Sequence, residues 1–302
     1  SVAREIRTVD DPAYNAYGLY WEALALLGRA DLDAVADVAA ELIEEGARRR
    51  QRVMSWSGYQ TRATLHALFG RFDDAVADID ASATYADSFG DTGHGSVHWA
   101  RISLATKRRD VVMLAEALAA LEQNYPSFSY ENGHIMIGQL DHGITPAELG
   151  AEVTSWVRRT LPHLPFSFRP GSIALLAPSL RHASAETASL AERELDGFDD
   201  IWMSTGAQES SGHCRWTRGL LAIAQGRTDE AIGQYEAALA SHVLAGELTL
   251  RANNSYHLVE ALIGRDGPGD RDRARIVAAE AAAIADRVGI IGLADLVTAL
   301  VE

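Results

Sequence analysis

Apolar residues recur at three- and four-residue steps through most of this chain, and the clearest stretches share a phrase. In GRTDEAIGQYEAALA, residues 226–240, the apolar positions are Ala231, Ile232, Tyr235, Ala238 and Leu239. That stripe is one face of an amphipathic helix. In GRFDDAVADIDASAT, residues 70–84, Ala75, Val76, Ile79 and Ala83 repeat it. Each phrase opens on a glycine able to take the left-handed conformation that closes a helix. A polar residue then follows to cap the next one, Asp73 in one copy and Thr228 or Asp229 in the other. Acidic residues such as Asp229 and Glu230 suit the positive end of that helix's dipole. Weaker copies are GRADLDAVADVAAEL from Gly28, KRRDVVMLAEALAAL from Lys107 without the glycine, and GRDGPGDRDRARIVAAEAAA from Gly264 with a short insert. The phrases start at 28, 70, 107, 226 and 264, and the long gap is about three periods of roughly 40 residues. Two helices per period, each unable to bury its stripe alone, predict an α-solenoid.

The pattern predicts helices near 12–27, 31–46, 50–69, 73–89, 95–107, 110–124, 146–160, 184–195, 207–225, 229–244, 247–263, 271–288 and 290–301. No stretch alternates Val, Ile or Thr as a strand would. The reading is a single all-α domain over residues 1–302. Regular repeats occupy 12–126 and 206–301, and an irregular proline-rich segment occupies 127–205. Pro126, Pro146, Pro162, Pro165, Pro170 and Pro178 cluster in or beside that segment. Because proline removes a helical hydrogen bond and restricts its predecessor, short or shifted helices and a change of superhelix curvature are expected there. The same region carries Tyr125, Phe128, Tyr130, His134, His142, Trp156, His163, Phe166 and Phe168. They read either as a ligand pocket in the bend or as aromatic filler where regular stacking fails.

Composition narrows the class. Hydrophobic residues make up 47% of the chain, enough for a sizeable core, and the formal net charge is −15. The acidic balance argues against direct nucleic-acid contact. The one basic run, Arg48, Arg49, Arg50 and Arg52, reads as the solvated end of a helix. Cys214 is the only cysteine, so no internal disulfide can form, which fits a cytoplasmic protein. No apolar run approaches the ~20 residues that cross a bilayer. The first residues, SVAREIRTVDD, lack both methionine and a signal-peptide pattern, and the chain reads as a segment of something longer.

GRTDEAIGQYEAALA resembles the second half of a tetratricopeptide repeat. The longer stretches YQTRATLHALFGRFDDAVADIDASATYADSFGDTGH and RDGPGDRDRARIVAAEAAAIADRVGIIGLADLVTAL resemble the C-terminal helical-repeat region of large bacterial signalling proteins. In these an NTPase module precedes the repeats, and a LuxR-type DNA-binding domain or an adenylyl cyclase domain lies elsewhere. The resemblance covers roughly residues 12–126 and 206–300. It implies a tetratricopeptide-like right-handed superhelix of antiparallel helix pairs acting as a sensor and docking arm. With Gly28, Gly70, Lys107, Gly226 and Gly264 placed at the turns, the concave groove takes Asn15 and Glu22, then Ser57, Gln60 and Thr64, then His94 and Arg101. His213 and Trp216, then Arg251 and Asn254, follow. Peptide-clamping members of the class hold a carboxylate with lysine and asparagine. Here the only lysine, Lys107, falls in a turn, and Arg101 and Arg251 could substitute in charge but not in geometry.

Signatures of reaction chemistry are missing. Lys107 sits in LATKRRD rather than in a phosphate-binding loop, and a lysine Schiff base is not expected. ESSGHC is not a nucleophile elbow, and His213 and Cys214, being adjacent, diverge on a helix. His94 and His98 have metal-ligand spacing, but no third ligand is evident nearby. Acidic pairs such as Glu44–Glu45, Asp73–Asp74 and Asp199–Asp200 read as helix-end residues. The expectation is a non-enzymatic regulatory domain of a bacterial transcription regulator or signalling ATPase, with no cofactor and no metal. Its partner would be a protein, a peptide or a small effector, and the end IIGLADLVTAL would act as a cap or a homodimer face. The competing readings are a free-standing assembly scaffold and an enzyme with its site in 126–205.

Overall fold

The computed structural model describes residues 12–124, 133–138, 140, 144–206 and 209–302. They form an all-α protein with one very short β-hairpin. Helices α1 (Pro12–Gly28), α2 (Leu32–Arg49), α3 (Arg52–Leu68), α4 (Phe72–Ala86), α5 (Gly90–Arg108) and α6 (Val111–Asn124) run through the first repeats. The middle holds α7 (Gly133–Gly138), α8 (Pro146–Arg159), α9 (Arg169–Leu180) and α10 (Ala185–Arg193). After the hairpin β1 (Trp202–Met203) and β2 (Gly212–His213) come α11 (Cys214–Ala224), α12 (Thr228–Ala245), α13 (Thr249–Arg265), α14 (Asp270–Val288) and α15 (Leu293–Ala299).

In each regular stretch a helix packs on the next one in sequence, and the periodic stripes face inward. On α12, Ala231, Ile232, Tyr235 and Ala238 are buried. On α4, Ala75 and Ile79 are buried with Phe72, while Val76 and Ala83 sit at its half-buried margin. Small residues allow close approach: a Cβ at Gly219 would lie 2.4 Å from the Tyr235 ring. The helices do not start on the expected caps. Arg71 and Arg227 occupy the N-cap positions without side-chain cap bonds, and Asp73, Asp74, Asp229 and Glu230 sit in the first turn, where the helix dipole favours them. Gly70 and Gly226 take the left-handed turn position as anticipated, with φ of 71° and 72°. In the weaker copies Ala30, Arg109 and Asp266 take it instead.

The middle departs from the pattern. α8 is where the periodicity put it, started by Pro146 and a reciprocal capping box between Thr145 and Glu148. α9 was not anticipated. Pro170 stands at its first turn, where no amide donor is missed, and Pro178 falls in its last turn. Trp156 is buried in the apolar cluster of this region, whereas Phe166 and Phe168 are exposed. Tyr125, Phe128, Tyr130 and His142 lie outside the described residues. The helix expected over 207–225 begins only at Cys214, because β1 and β2 pair antiparallel with Trp202 opposite His213.

The two sets of repeats do not lie apart along a rod. α13 packs against α3 and α5, and β1 packs against α1. Every helix end leaves carbonyls without intrahelical partners, and here the distant set of repeats supplies the donors. The Leu248 amide donates to the Leu68 carbonyl at 3.0 Å, and the Ile291 amide to the Arg108 carbonyl at 2.8 Å. The Thr249 hydroxyl reaches the Ala67 and Leu68 carbonyls at 3.0 and 3.1 Å. One apolar cluster accordingly runs from Leu27 and Leu68 through Leu220 and Tyr235 to Val297.

Candidate functional site: a buried polar cavity where the repeats meet

A cavity of about 60 Å³ lies where α5, α9, the hairpin and α13 converge. Helix α5 contributes Ser103, Thr106 and Lys107 from its last turns and Arg109 from just beyond its end. α9 adds an apolar wall of Ala174, Leu175 and Pro178, beside Leu140. The loop closing the hairpin adds Glu209, Ser210 and Ser211, α11 adds Trp216, and α13 adds Leu250, Asn253 and His257. No two of these five chain regions are neighbours in the repeat order, apart from α11 and the hairpin that leads into it.

Lys107 is the unusual member. It is 6% exposed, although its place beside a turn suggested a solvated side chain. Its Nζ donates to Ser103 Oγ at 2.8 Å. Among the described residues no carboxylate comes within ion-pair distance of it. Glu209 and Glu247 act on it from farther away, and their oxygens are engaged elsewhere. Glu209 accepts from the Ser211 hydroxyl and from the Thr205 amide and hydroxyl. Glu247 accepts from the Leu250 amide and stands 2.7 Å from His242 Nδ1, both side chains fully buried. Burial holds the Lys107 amine below the usual lysine range, against the opposing pull of those two carboxylates. An ammonium taken out of water without a contacting counter-ion costs several kcal/mol, so the free amine is the form that burial favours.

Two histidines around this junction, His257 and His213, are likewise held below their ordinary range by their surroundings. Burial and then Arg181 push His257 well below its ordinary range, and its Nδ1 donates to the Asn253 carbonyl at 2.8 Å. Burial, His242 and Arg215 push His213 down to about 4. Its Nδ1 accepts from the Arg215 amide and caps α11. Burial raises the Cys214 thiol to about 11, which keeps it out of nucleophilic work at neutral pH.

The eleven residues assigned to a concave groove are dispersed. Ser57, Gln60, Thr64, His213, Trp216 and Asn254 are buried. Ser96 donates to Gln60 Oε1 at 2.8 Å, and Asn254 Nδ2 donates to the Tyr235 carbonyl at 3.1 Å. Arg251 pairs with Glu280, His94 with Asp87, and Arg101 with Asp80. Asn15 and Glu22 are half-buried on α1. The face they were meant to expose is partly covered because α13 lies against α3 and α5. Of the set, only Trp216 reaches the central cavity. Arg101, with His98, lines a separate cleft of about 370 Å³ between α4, α5 and α6. A third cleft of about 310 Å³, holding the Arg181–Glu260 pair, meets the central cavity at His257.

Sequence reading missed Lys107, Arg109, Glu209, Asn253 and His257, which no local motif links. The one available signal was that a chain otherwise basic through arginine keeps a single lysine. Within 126–205 the described cavity residues are apolar, and the titratable groups arrive from outside that segment. His94 and His98 do not converge with a third ligand, and no group of three His, Cys, Asp or Glu residues suited to a metal occurs among the described residues. No helix among them is long and apolar enough to cross a membrane. No protein-family model and no curated protein matches the chain.

Proposed function

We propose that this chain is a non-enzymatic sensor domain built from tetratricopeptide-like helix pairs, and that it reads a small polar effector in the central cavity. The observation that carries this reading is Lys107, a buried amine without a contacting counter-ion in a cavity shared by both sets of repeats. Polar groups buried at such cost are retained where a ligand completes them. The resemblance of 12–126 and 206–300 to the helical arms of bacterial LuxR-type and cyclase-linked regulators supplies the setting, in which the arm passes its state to an output domain. The burial of most groove candidates favours a small effector over an extended peptide.

Binding at this position would couple to the closure of the repeats, because Lys107 and Arg109 flank the Arg108 carbonyl that receives the Ile291 amide. An effector shifts such an equilibrium only by its difference in affinity for the two arrangements. The test is hydrogen exchange, followed at the Leu248 and Ile291 amides across a panel of small polar metabolites. An effector that binds and slows both amides supports the reading. One that binds at Lys107 and leaves both unchanged removes the switching part, and a panel with no binder removes the sensor.

A further inference from the structure

The cavity is less than half the size of the roughly 150 Å³ engineered cavity that accommodates benzene, so a small occupant of a few non-hydrogen atoms matches its interior. Inside it, Lys107 Nζ spends one hydrogen bond on Ser103 Oγ and has no other partner among the described residues. The charged and titratable groups around that amine are Glu209 from the hairpin loop, Glu247 from the turn before α13, Arg109 beyond α5 and His257 on α13. The two carboxylates are held by other donors. They therefore offer a field favourable to positive charge without neutralising the amine by contact.

We propose that Lys107 captures a small aldehyde of two to four non-hydrogen atoms as an iminium within this cavity. This rests on the effector reading and names the effector's chemical class. The Nζ lone pair attacks the carbonyl carbon, a C–N bond forms, and the carbonyl π pair moves to oxygen, which takes a proton. The resulting carbinolamine takes a proton from solvent water on its hydroxyl and loses it as water, leaving a C=N bond whose nitrogen keeps one proton. Amine, aldehyde and one solvent proton thus become iminium and water, with no change of oxidation state. The Ser103 hydroxyl, 2.8 Å from Nζ, is placed to relay the proton between nitrogen and oxygen. Burial weakens the amine's hold on its proton, the direction that attack requires, and the charged product then sits in the field of Glu209 and Glu247. Carbamate formation with carbon dioxide would fit the volume but would set a third negative charge beside those two.

Because the chain has one lysine, the assay is unambiguous at side-chain level. The full chain is incubated with acetaldehyde and cyanoborohydride at pH 7, and the product is mapped by peptide mass spectrometry. The expected result is one ethyl group on Lys107, added faster in the native protein than in urea. The margin is about tenfold for each pH unit by which folding lowers the amine's pKa, and benzaldehyde, which exceeds the cavity, gives no adduct there. Trapping at Lys107 that is absent, or slower in the native protein than in urea, overturns the proposal. So does a carbamate signal from labelled bicarbonate without an aldehyde adduct. If trapping fails while another small molecule still protects the Leu248 amide, only the covalent step falls. If neither occurs, the effector reading falls with it.

Discussion

Gly70 and Gly226 occupy the same place in two copies of one phrase, and replacing each with alanine separates a closed arrangement of repeats from an open one. Their backbones are nearly identical, with φ of 71° and 72°. A Cβ in this left-handed region costs about 1–2 kcal/mol, and the stiffer unfolded chain returns about 0.4–1 kcal/mol. Gly226→Ala adds a Cβ with nothing within 4 Å, so a net loss of about 0.5–1 kcal/mol is expected. At Gly70 the added Cβ would lie 2.4 Å from Val288 Cβ and 2.6 Å from its Cγ1. Val288 ends α14, more than two hundred residues away in sequence. Relieving that overlap costs a further ~1–3 kcal/mol, so Gly70→Ala should be the more damaging change by about that amount. Urea denaturation, with the midpoint and slope of each variant compared, measures the difference. Val288→Ala in the Gly70→Ala background should recover part of the extra loss, because it removes Cγ1 and Cγ2, two of the three atoms that the new Cβ meets, while keeping Val288 Cβ. Equal losses for the two glycine variants, or no recovery with Val288→Ala, would refute the packing of α14 on the first repeats.

Lys107→Met should leave stability at pH 7 unchanged or raise it by about 1–2 kcal/mol, since it removes an amine buried, among the described residues, without a contacting counter-ion. The same variant should lose effector protection of the Leu248 amide; a strongly destabilised Lys107→Met would show that the amine is held for structure. Thr249→Val removes the hydroxyl that serves the Ala67 and Leu68 carbonyls and should cost about 1 kcal/mol in urea. Acidification should destabilise the fold between pH 6.5 and about 4, where the unfolded chain binds the proton that folded His213 refuses. That group alone accounts for about 3 kcal/mol by linkage, and His257 acts in the same direction. Denaturation curves across that window check this, and His213→Asn, which keeps an acceptor for the Arg215 amide, should flatten the slope.

The local grammar of the repeats was legible because it depends on neighbours in sequence. A stripe such as Ala231, Ile232, Tyr235 and Ala238 must face a partner whatever that partner is, and a helix ending at Gly70 or Gly226 needs a left-handed residue there. Where those signals were weak, reading failed in specific ways. Proline density hid α9, since a proline in the first turn of a helix is allowed and looks in sequence like a breaker. The hairpin before α11 is too short to show alternation, and Trp202 and His213 are brought opposite each other only by pairing.

The sequence by itself determined that the chain makes helices in pairs, which faces of them are apolar, and that their chemistry contains no recognisable catalytic signature. Only the tertiary structure decided that Leu248, Thr249 and Ile291 would satisfy the carbonyl ends of α3 and α5. It likewise decided that Lys107 would be sealed among Glu209, Asn253 and His257 rather than left in water at a turn. The reason is that a helix stripe specifies the need for a neighbour but not its identity. Burial of a particular amine follows from which distant surfaces close over it, a property of the assembled chain that no single repeat encodes.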